Sequence, residues 1–473
     1  MKPAELPQSS NFFLDGNFAP IAQERDATDM AVSGSIPADL NGHFLRIGPN
    51  PVHIFSEEAY HTFDGDGMIH AIEFQNGDAH YKNRFVKTEG FKLEQEQGDW
   101  VYKGMNSMMD PTPSRIPEGA PASKNLANTA FAYHSNTLYA LHEPSQPVIV
   151  NLPDLDTEGA TDFNGKLTHP FTAHPKVDQK SGEMMTFGYA FQAPYVAYSV
   201  INAEGELIHT TPVSIEKPVF MHDFAATEKY SLFLDFPITL DIERAIAGGP
   251  ALDFEPDHGS RIGVMPRFGS DEDVRWFEVN TGSVVHTANA WDEQAANGDE
   301  VVVLQASRSK TSDIAGAGLS AENLEDTHGV LYEWRINLNT GAIEETPLSH
   351  LHCDFTRVND LNTCHKTRYV YAAVFNPARP FTFDGLMKYD NESRETTSFM
   401  YDDNRFGGEA VFAPKVGATD EDDGYLVCFV QDETHNKSEC LIIDAKNIEA
   451  GPIATITIPY RVPYGFHAGW VGA

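Results

Sequence analysis

Long apolar runs are absent from this chain of 473 residues. Nowhere do 18 consecutive apolar residues occur, so the sequence predicts no transmembrane helix. Residues 1–20 lack a basic stretch followed by an apolar one, which is the pattern of a secretory signal peptide. We therefore expect a soluble, cytoplasmic protein.

Cysteine is scarce as well, and the chain has only Cys353, Cys364, Cys428 and Cys440. None of them forms a CxxC pair, so the sequence predicts neither a zinc site nor a disulfide framework. We expect four free thiols, buried in the core.

Basic residues are few: 33 Lys and Arg stand against 69 Asp and Glu, for a formal net charge of −36. Such a surface repels nucleic acid and anionic lipid, so we expect no nucleic-acid partner and at most weak membrane contact. The simplest interpretation of the acidity is solubility, and the sequence predicts no particular oligomeric state. A small apolar set could line a tunnel mouth or pack onto the fold: Phe12, Phe13, Phe18, Met105, Met108 and Met109.

Helical periodicity is also rare, and short strands take its place. Segments such as MMTFGYAF, SLFLDFP and YLVCFVQ are rich in β-branched and aromatic residues and are bounded by Gly, Asn or Asp turns. One short helix is expected near residue 241, in DIERAIAGG. The recurring unit of strand, polar turn and strand is typical of a β-propeller, whose four-stranded blades run about 40 to 50 residues. Because no linker interrupts the pattern, we expect a single all-β propeller domain over residues 1–473.

Four histidines stand in short apolar segments: His174 in FTAHPKVD, His222 in VFMHDFAA, His286 in SVVHTANAW and His467 in YGFHAGW. Burying an imidazole costs free energy unless a partner uses its nitrogen, and any one of these is most simply a hydrogen-bonded core residue. Four of them suggest one common partner. Neutral imidazole is a common ligand of first-row transition metals, so their convergence would form an all-nitrogen metal centre.

The spacings between these histidines are 48, 64 and 181 residues. They fit ligands on the innermost strands of different blades, with two ligand-free blades before the last. A metal on the propeller axis would be reached through a tunnel, which suits a buried apolar substrate. His169 competes with His174, which we prefer because it opens the more strand-like unit. Most other histidines lie in polar stretches and are expected at the surface, such as His80, His258, His328 and His435.

Several long motifs, in order, resemble the carotenoid cleavage oxygenases over nearly the whole chain. They include NGHFLRIGPNP (41–51), YHTFDGDGMIHAIEF (60–74), TAHPKVDQKSGEMMTFGY (172–189), MHDFAATEKYSLFLDFP (221–237), VVHTANAWDE (284–293) and GFHAGW (465–470). The resemblance implies a seven-bladed β-propeller with a small helical and loop cap, inserted into the domain over the axial metal site. It also implies an Fe(II) cofactor held by His174, His222, His286 and His467.

In that family, carboxylates brace three of the four ligand histidines, which fixes the imidazole tautomer and raises its basicity. Glu143 and Glu409 match two of these positions. At the third, HCDFTRVND offers Asp354, whose side chain is one methylene shorter than the family's Glu. Either the backbone has moved inward there, or a water bridges the gap. The family also places a threonine methyl beside an open iron position, and Thr129 fits, although an ordinary strand residue is the alternative.

The resemblance implies cleavage of a conjugated C=C bond with O2 in a small hydrophobic alkene, giving carbonyl products. Stilbene-cleaving relatives hold the substrate phenol with a lysine directly before the bracing glutamate and with an upstream tyrosine. Here these positions are His142 and, less securely, Asn106. Lys124 could substitute, but an ordinary surface lysine is the simpler interpretation. We therefore expect an apocarotenoid substrate, with stilbenoid or vinylphenol-type alkenes as the alternative.

Other classes of function remain open alternatives. A propeller could be a non-catalytic binding scaffold, although the match of Glu143 and Glu409 to bracing positions argues against it. A calcium-dependent propeller hydrolase would need oxygen ligands on the axis, whereas the inferred axial residues are nitrogen donors. Isomerohydrolase chemistry also occurs within the family, and the sequence does not exclude it.

Overall fold

The chain forms a β-propeller of seven antiparallel blades, which confirms the predicted fold class. The structure is a computed structural model and describes residues 6–312 and 324–473. Strands are numbered below in chain order, and each blade is given from the sheet in which its strands pair. Within a blade, strands that follow each other in the chain are hydrogen-bonded neighbours, except that β1 pairs with β5 and β32 with β3 in blade 1, and β2 with β31 in blade 7.

Blades 1 to 4 are separate sheets. Blade 1 contains β1 (Arg25–Ala27), β3 (Gly42–Pro49), β4 (Gly67–Gln75), β5 (Asp78–Phe85) and β32 (Ala468–Gly472). Blade 2 contains β6 (Ala130–His134), β7 (Thr137–Leu141), β8 (Val148–Asn151) and β9 (Asp156–Ala160). Blade 3 contains β10 (Lys176–Asp178), β11 (Glu183–Tyr189), β12 (Val196–Ile201) and β13 (Leu207–Val213). Blade 4 contains β14 (Ala225–Ala226), β15 (Tyr230–Asp235), β18 (Ser260–Pro266) and β19 (Arg275–Val279).

Blades 5 to 7 are joined into one continuous hydrogen-bonded path. Blade 5 contains β20 (Ser283–Gln294), β21 (Glu300–Ser309), β22 (Val330–Asn337) and the first part of β23 (Ile343–Arg357). Blade 6 contains the end of β23, β24 (Tyr369–Phe375), β25 (Phe383–Asp390) and β26 (Glu395–Met400). Blade 7 contains β28 (Val411–Pro414), β29 (Gly424–Asp432), β30 (Lys437–Asp444), β31 (Pro452–Ile458) and β2 (Ala31–Gly34), while β27 (Arg405–Gly407) links blades 6 and 7. The long β23 thus runs from the outer edge of one blade to the inner edge of the next.

The ring is closed where the two ends of the chain meet. Strand β32 pairs with β3, so the innermost strand of blade 1 comes from residues after 467. Strand β2 likewise pairs with β31 at the outer edge of blade 7. A closed ring leaves few free sheet edges, which is the usual way in which a propeller avoids edge-to-edge association.

Local sequence explains why the strands turn and pack as they do. Asn76 and Gly77 both have positive φ, as a two-residue hairpin turn requires, and they join β4 to β5 in register Gln75 with Asp78. Middle strands are buried on both faces because each blade packs against two neighbours, and all nine residues of β29 are buried. This is why YLVCFVQ reads as a continuous apolar run. The four cysteines are free and buried, which confirms that prediction.

Helices are short. One of them lies in a hairpin that forms part of the cap. The expected helix near residue 241 is α2 (Ile242–Ile246), capped by Asp241, and it lies between β16 (Ile238–Leu240) and β17 (Leu252–Phe254). A longer helix, α1 (Glu89–Gln97), was not anticipated, although Thr88 caps its start and Gly98 adopts the left-handed conformation at its end. The third is α3 (Leu324–Thr327). In the part of the chain that the structure describes, no helix is long and apolar enough to span a bilayer.

Short 3-10 helices complete the connections: Phe12–Leu14, Gly16–Phe18, Thr62–Asp64, Met105–Ser107, Pro256–His258, Asp271–Asp273, Asp360–Asn362 and Ile448–Ala450. Phe12, Phe13 and Phe18 pack on one another, and Phe18 also lies against Tyr464. Met108 and Met109 are exposed. The apolar set flagged in the sequence is therefore divided between packed and exposed side chains.

Two of the histidines expected at the surface are not there. His328 is buried and stacks on Phe375 with ring centroids 4.0 Å apart. The ring of His258 is also largely covered, because its Nε2 lies 2.9 Å from the buried carboxylate of Asp235. Polar neighbours in the sequence misled the prediction, since other strands cover these segments: Asp235 lies in β15 and Phe375 in β24.

Candidate metal centre

Four blades place one histidine each at a common point on the axis. His174 lies just before β10, His222 just before β14 and His467 just before β32, while His286 is in β20. These are the innermost strands of blades 3, 4, 1 and 5. One nitrogen of each ring lies within 4.8 Å of the corresponding nitrogen of every other ring.

The nitrogens face one another at distances that fit a shared metal ion. Nε2 of His222 is 2.9 Å from Nε2 of His174 and 3.2 Å from Nε2 of His286. Imidazole nitrogens about 2.0–2.1 Å from one ion would lie roughly 3–4 Å apart, in agreement with this cluster. A hydrogen bond between two neutral rings uses only two nitrogens, so it does not account for four of them converging. The donor set fits a transition metal that prefers nitrogen ligands.

The protonation state of two of the rings favours metal binding. Burial, together with the neighbouring imidazoles, holds the pKa of His174 well below its usual range. Burial also lowers the pKa of His467 to about 4, with Glu409 opposing the shift. Burial acts in the same direction on His286, but Asp354 outweighs it and raises the pKa of that ring. At neutral pH, His174 and His467 are therefore neutral and can offer a lone pair.

Carboxylates contact the outer nitrogen of three of the four rings. Glu143 lies against Nδ1 of His222, Asp354 Oδ1 is 2.9 Å from Nδ1 of His286, and Glu409 Oε1 is 3.3 Å from Nδ1 of His467. A carboxylate at Nδ1 keeps the proton on that nitrogen and directs the Nε2 lone pair inward. Among the described residues no carboxylate contacts His174. The three carboxylates come from blades 2, 6 and 7, which supply no ligand histidine.

Asp354 reaches His286 directly because the backbone of β23 is irregular at this point. The pairing of β23 with β24 shifts register between Asp354 and Arg357, and the intervening Phe355 has a φ of 51°. A bulge of this kind bends the strand and re-aims its side chains. Of the two alternatives considered for the shorter side chain, the direct contact agrees with the inward-moved backbone.

Further groups hold the carboxylates in place, and sequence reasoning missed them. The hydroxyl of Tyr189 donates to Glu143, and the backbone N–H of Ala468 donates to Glu409. Arg357 Nη1 is 3.7 Å from Glu409 Oε1, and the Arg357 guanidinium is also paired with Asp360. Tyr189 ends the motif that carries His174, so its position in that motif was the available signal.

Thr129 lies against the strand of His467. Its backbone carbonyl accepts a hydrogen bond from the N–H of His467 at 3.2 Å. Its hydroxyl donates to Asn128 Oδ1 at 2.9 Å, and the Asn128 amide nitrogen is in turn bound to backbone carbonyls of Phe63 and Gly65. Because the hydroxyl is occupied by Asn128, the methyl group is the part of Thr129 left for contact with a ligand.

The competing histidine has other partners. His169 Nδ1 is 2.6 Å from the carbonyl of Pro170, and its Nε2 is 2.8 Å from Ser199 Oγ. Both ring nitrogens are therefore used within blade 3. This leaves His174 as the histidine of this segment that reaches the axis.

The two proposed substrate-binding residues lie in different environments. His142 is half-buried next to Glu143, its Nδ1 is 3.0 Å from Ser145 Oγ, and desolvation of the ring lowers its pKa to about 4. Asn106 is exposed, and its amide nitrogen donates to the carbonyl of Ala59 at 3.3 Å. In the described parts of the chain, no hydrogen bond joins Asn106 to His142.

Lys124 is not the surface lysine that the sequence suggested. Its side chain is only 9% exposed, and its Nζ lies 2.5 Å from Asp66 and 2.6 Å from Glu94. Two buried carboxylates thus neutralise this ammonium group and raise its pKa, although burial acts in the opposite direction. A lysine held in this way is not free to bind a phenolate.

Aromatic rings cover part of the histidine cluster. Phe220 stacks on His222 with centroids 5.3 Å apart, and Phe355 stacks on His286 at 5.1 Å. Phe220 also packs, with Tyr189, against the apolar side chains of the β16–β17 hairpin. The cap hairpin therefore places an apolar surface next to the His222 side of the cluster.

Comparisons with known proteins agree with this architecture. A family model described as "Retinal pigment epithelial membrane protein" matches residues 18–472. The chain is 38% identical over 501 residues to carotenoid 9,10(9',10')-cleavage dioxygenase 1 of Arabidopsis thaliana, across 100% of this chain and 91% of that protein.

Solved structures are similar over almost the whole length. Pseudomonas brassicacearum lignostilbene dioxygenase aligns with a TM-score of 0.89 and 28% identity, covering 99% of this chain and 100% of that one. Cobalt-substituted Synechocystis apocarotenoid oxygenase aligns with a TM-score of 0.82 and 28% identity, covering 96% of this chain and 97% of that one. The similarity therefore includes every blade and the elements that surround the histidine cluster.

Proposed function

Because the chain belongs to the carotenoid cleavage oxygenase family, we propose that it is a ferrous-iron dioxygenase that cleaves a conjugated C=C bond of an apocarotenoid. The observation that carries the proposal is the cluster of four histidines, three of them braced by Glu143, Asp354 and Glu409. A non-catalytic scaffold would not need this arrangement. Nor would a calcium enzyme, because calcium takes oxygen ligands.

Iron is proposed from the chemistry of the donors. His174, His222, His286 and His467 would hold the ion through neutral nitrogens, so its charge of +2 is not cancelled by its ligands. An ion bound in this way supplies the binding and activation of O2. The carboxylates lie one hydrogen bond further from the ion, where they fix the tautomers of three rings.

The remaining residues position the substrate and limit the access of water. Phe220 flanks the cluster with an apolar ring, next to which a polyene can lie without losing hydrogen bonds. Thr129 presents a methyl group while Asn128 holds its hydroxyl. The reaction adds one oxygen atom of O2 to each carbon of the double bond and gives two carbonyl fragments, so no general base is needed.

An apocarotenoid is proposed because neither of two candidate cations is available to bind a phenol. One is replaced by a histidine, and the other is paired with carboxylates. The position directly before Glu143 is His142, which is neutral at physiological pH because burial lowers its pKa to about 4. Lys124 is bound between Asp66 and Glu94. A phenolate would therefore lose a charge-assisted hydrogen bond worth about 1.5–3 kcal/mol, whereas a polyene aldehyde needs no such partner.

A stilbenoid or vinylphenol-type alkene is the second candidate. The TM-score of 0.89 with the lignostilbene dioxygenase favours it, since the two folds agree over nearly every residue. Fold similarity does not fix the substrate, however, because specificity depends on particular side chains in the cleft. The replacement of a cation by His142 is the feature that ranks this candidate second.

One experiment tests the function and separates the substrates. The purified protein is reconstituted anaerobically with Fe(II), exposed to ¹⁸O2, and given a panel of apocarotenals, hydroxystilbenes and vinylphenols. We expect about one iron per chain and aldehyde products from the apocarotenals, with label in both fragments. His222→Ala should lose both the iron and the turnover. A wild-type protein that binds no iron would refute the proposal, and a preference for hydroxystilbenes would replace the first substrate by the second.

A further inference from the structure

A cavity of ≈ 380 Å³ connects the histidine cluster with the protein surface. Its inner end is formed by His174, His286 and His467. Its lining also includes Gln179 and Leu361, both of which are exposed. The fourth histidine, His222, does not line this cavity and is covered instead by Phe220 of the capped side.

The cavity lining is mixed, and charged side chains lie among apolar ones between these two ends. Lys176 Nζ lies 2.7 Å from Asp223, and Arg357 bridges Asp360 at 2.9 Å and Glu409 at 3.7 Å. The charged lining residues are thus three carboxylates and two cations. Such walls are costly to place next to a hydrocarbon but keep an aqueous path solvated. Their excess of carboxylate attracts a dication.

We propose that this cavity is the route by which the metal ion reaches and leaves the four-histidine centre, separate from the apolar side where the substrate binds. The proposal rests on the proposed function only in requiring that the four histidines bind a metal. A hydrated Fe(II) ion can pass along the charged walls and exchange its water for the three imidazoles at the inner end. The capped side offers the ring of Phe220 and the apolar β16–β17 hairpin instead, which would require the ion to lose its water earlier.

The rate of metal uptake tests the route without reference to turnover. Apoprotein is mixed with Co(II) at low ionic strength in a stopped-flow instrument, and binding is followed by the visible absorption of the Co(II)–protein complex. Leu361 is 52% exposed at the outer end of the cavity, so charges can be introduced there with little effect on the core. Leu361→Lys is expected to slow uptake roughly three- to tenfold, and Leu361→Glu to accelerate it by a similar factor. Gln179→Lys, from another blade, should act as Leu361→Lys does.

Two controls define the interpretation. Ile246 is 63% exposed on α2, beside the capped side, and Ile246→Lys and Ile246→Glu should leave the uptake rate unchanged. Added salt of about 0.5 M should remove the difference between the Leu361 variants because it screens their charges. The final Co(II) spectrum and stoichiometry should equal those of the wild type.

Equal uptake rates for Leu361→Lys and Leu361→Glu at low salt would overturn the route, as would a charge effect found at Ile246 instead. Both results leave the metal centre itself intact. Failure of the wild-type apoprotein to bind Co(II) would overturn the centre and the route together. The uptake measurement therefore tests the metal centre and the route to it separately.

Discussion

Replacing Asp354 by Asn should weaken metal binding while leaving the fold intact. The carboxylate is 2.9 Å from Nδ1 of His286, and both side chains are largely buried. Asn keeps an acceptor of nearly the same shape but removes the negative charge that raises the pKa of this ring. A hydrogen bond to a charged group contributes about 1.5–3 kcal/mol, against about 0.5–1.5 kcal/mol for a neutral one. The loss should then be about 1–1.5 kcal/mol, or roughly 5–13-fold in affinity, which is near the low end of the range for groups that hold metal ligands.

The assay is the dissociation constant for Co(II), measured by competition with a chelator of known affinity. Asp390→Asn is a matched control, since Asp390 is in the same blade but binds Arg368 away from the axis. Asp354→Glu keeps the charge and should retain more affinity than Asp354→Asn. If Asp354→Asn binds Co(II) as tightly as Asp390→Asn does, then Asp354 does not polarise His286 and the reasoning fails.

Three further predictions concern two residues around the centre and His61, which precedes the 3-10 helix Thr62–Asp64. Tyr189→Phe removes the hydroxyl that donates to Glu143, so the Co(II) spectrum should shift and affinity should fall by about 3–10-fold, with unchanged melting temperature; an identical spectrum would contradict this. His142→Lys should raise the kcat/KM for hydroxystilbenes relative to apocarotenals by about 10-fold or more, because it supplies a cation for the phenol; an unchanged ratio would count against the substrate argument. His61 has a pKa lowered to about 4 by burial, so the unfolded chain takes up its proton first as the pH falls from 7.5 to 5, and this costs about 2 kcal/mol of stability. His61→Asn keeps an acceptor for the N–H of Phe63. Over the same pH range its free energy of unfolding, measured in urea, should fall by about 2 kcal/mol less than that of the wild type. An equal fall in both proteins would refute the assignment.

The propeller could be predicted from the sequence because its signals are local. Strand length, turn residues and the apolar setting of each histidine can be read from a few neighbouring positions in the chain, and the histidines are His174, His222, His286 and His467. The four histidines are brought together as expected, although neither the residues nor their spacing alone fixed a ring of seven blades. That number followed from the family resemblance.

Other features could not be predicted because they depend on contacts between distant segments. Asp354 reaches its histidine through a bulge that no residue type in HCDFTRVND announces. Lys124 is buried because Asp66 and Glu94 come from segments 58 and 30 residues away. His328 likewise lies under Phe375 of another strand. For Lys124 and His328 a polar sequence neighbourhood suggested exposure, whereas the tertiary structure supplies partners for the buried group.

The closure of the ring through β32 has a consequence for stability. His467 precedes β32, which pairs with β3, while the other three histidines belong to blades 3, 4 and 5. A metal ion held by all four therefore ties the joint between the two chain ends to the opposite part of the ring. Metal binding and ring closure are thermodynamically linked, and a free metal concentration 1,000 times the dissociation constant adds about 4 kcal/mol against opening. The amide hydrogens of the joint at blade 1 should therefore exchange more slowly in the loaded protein than in the apoprotein.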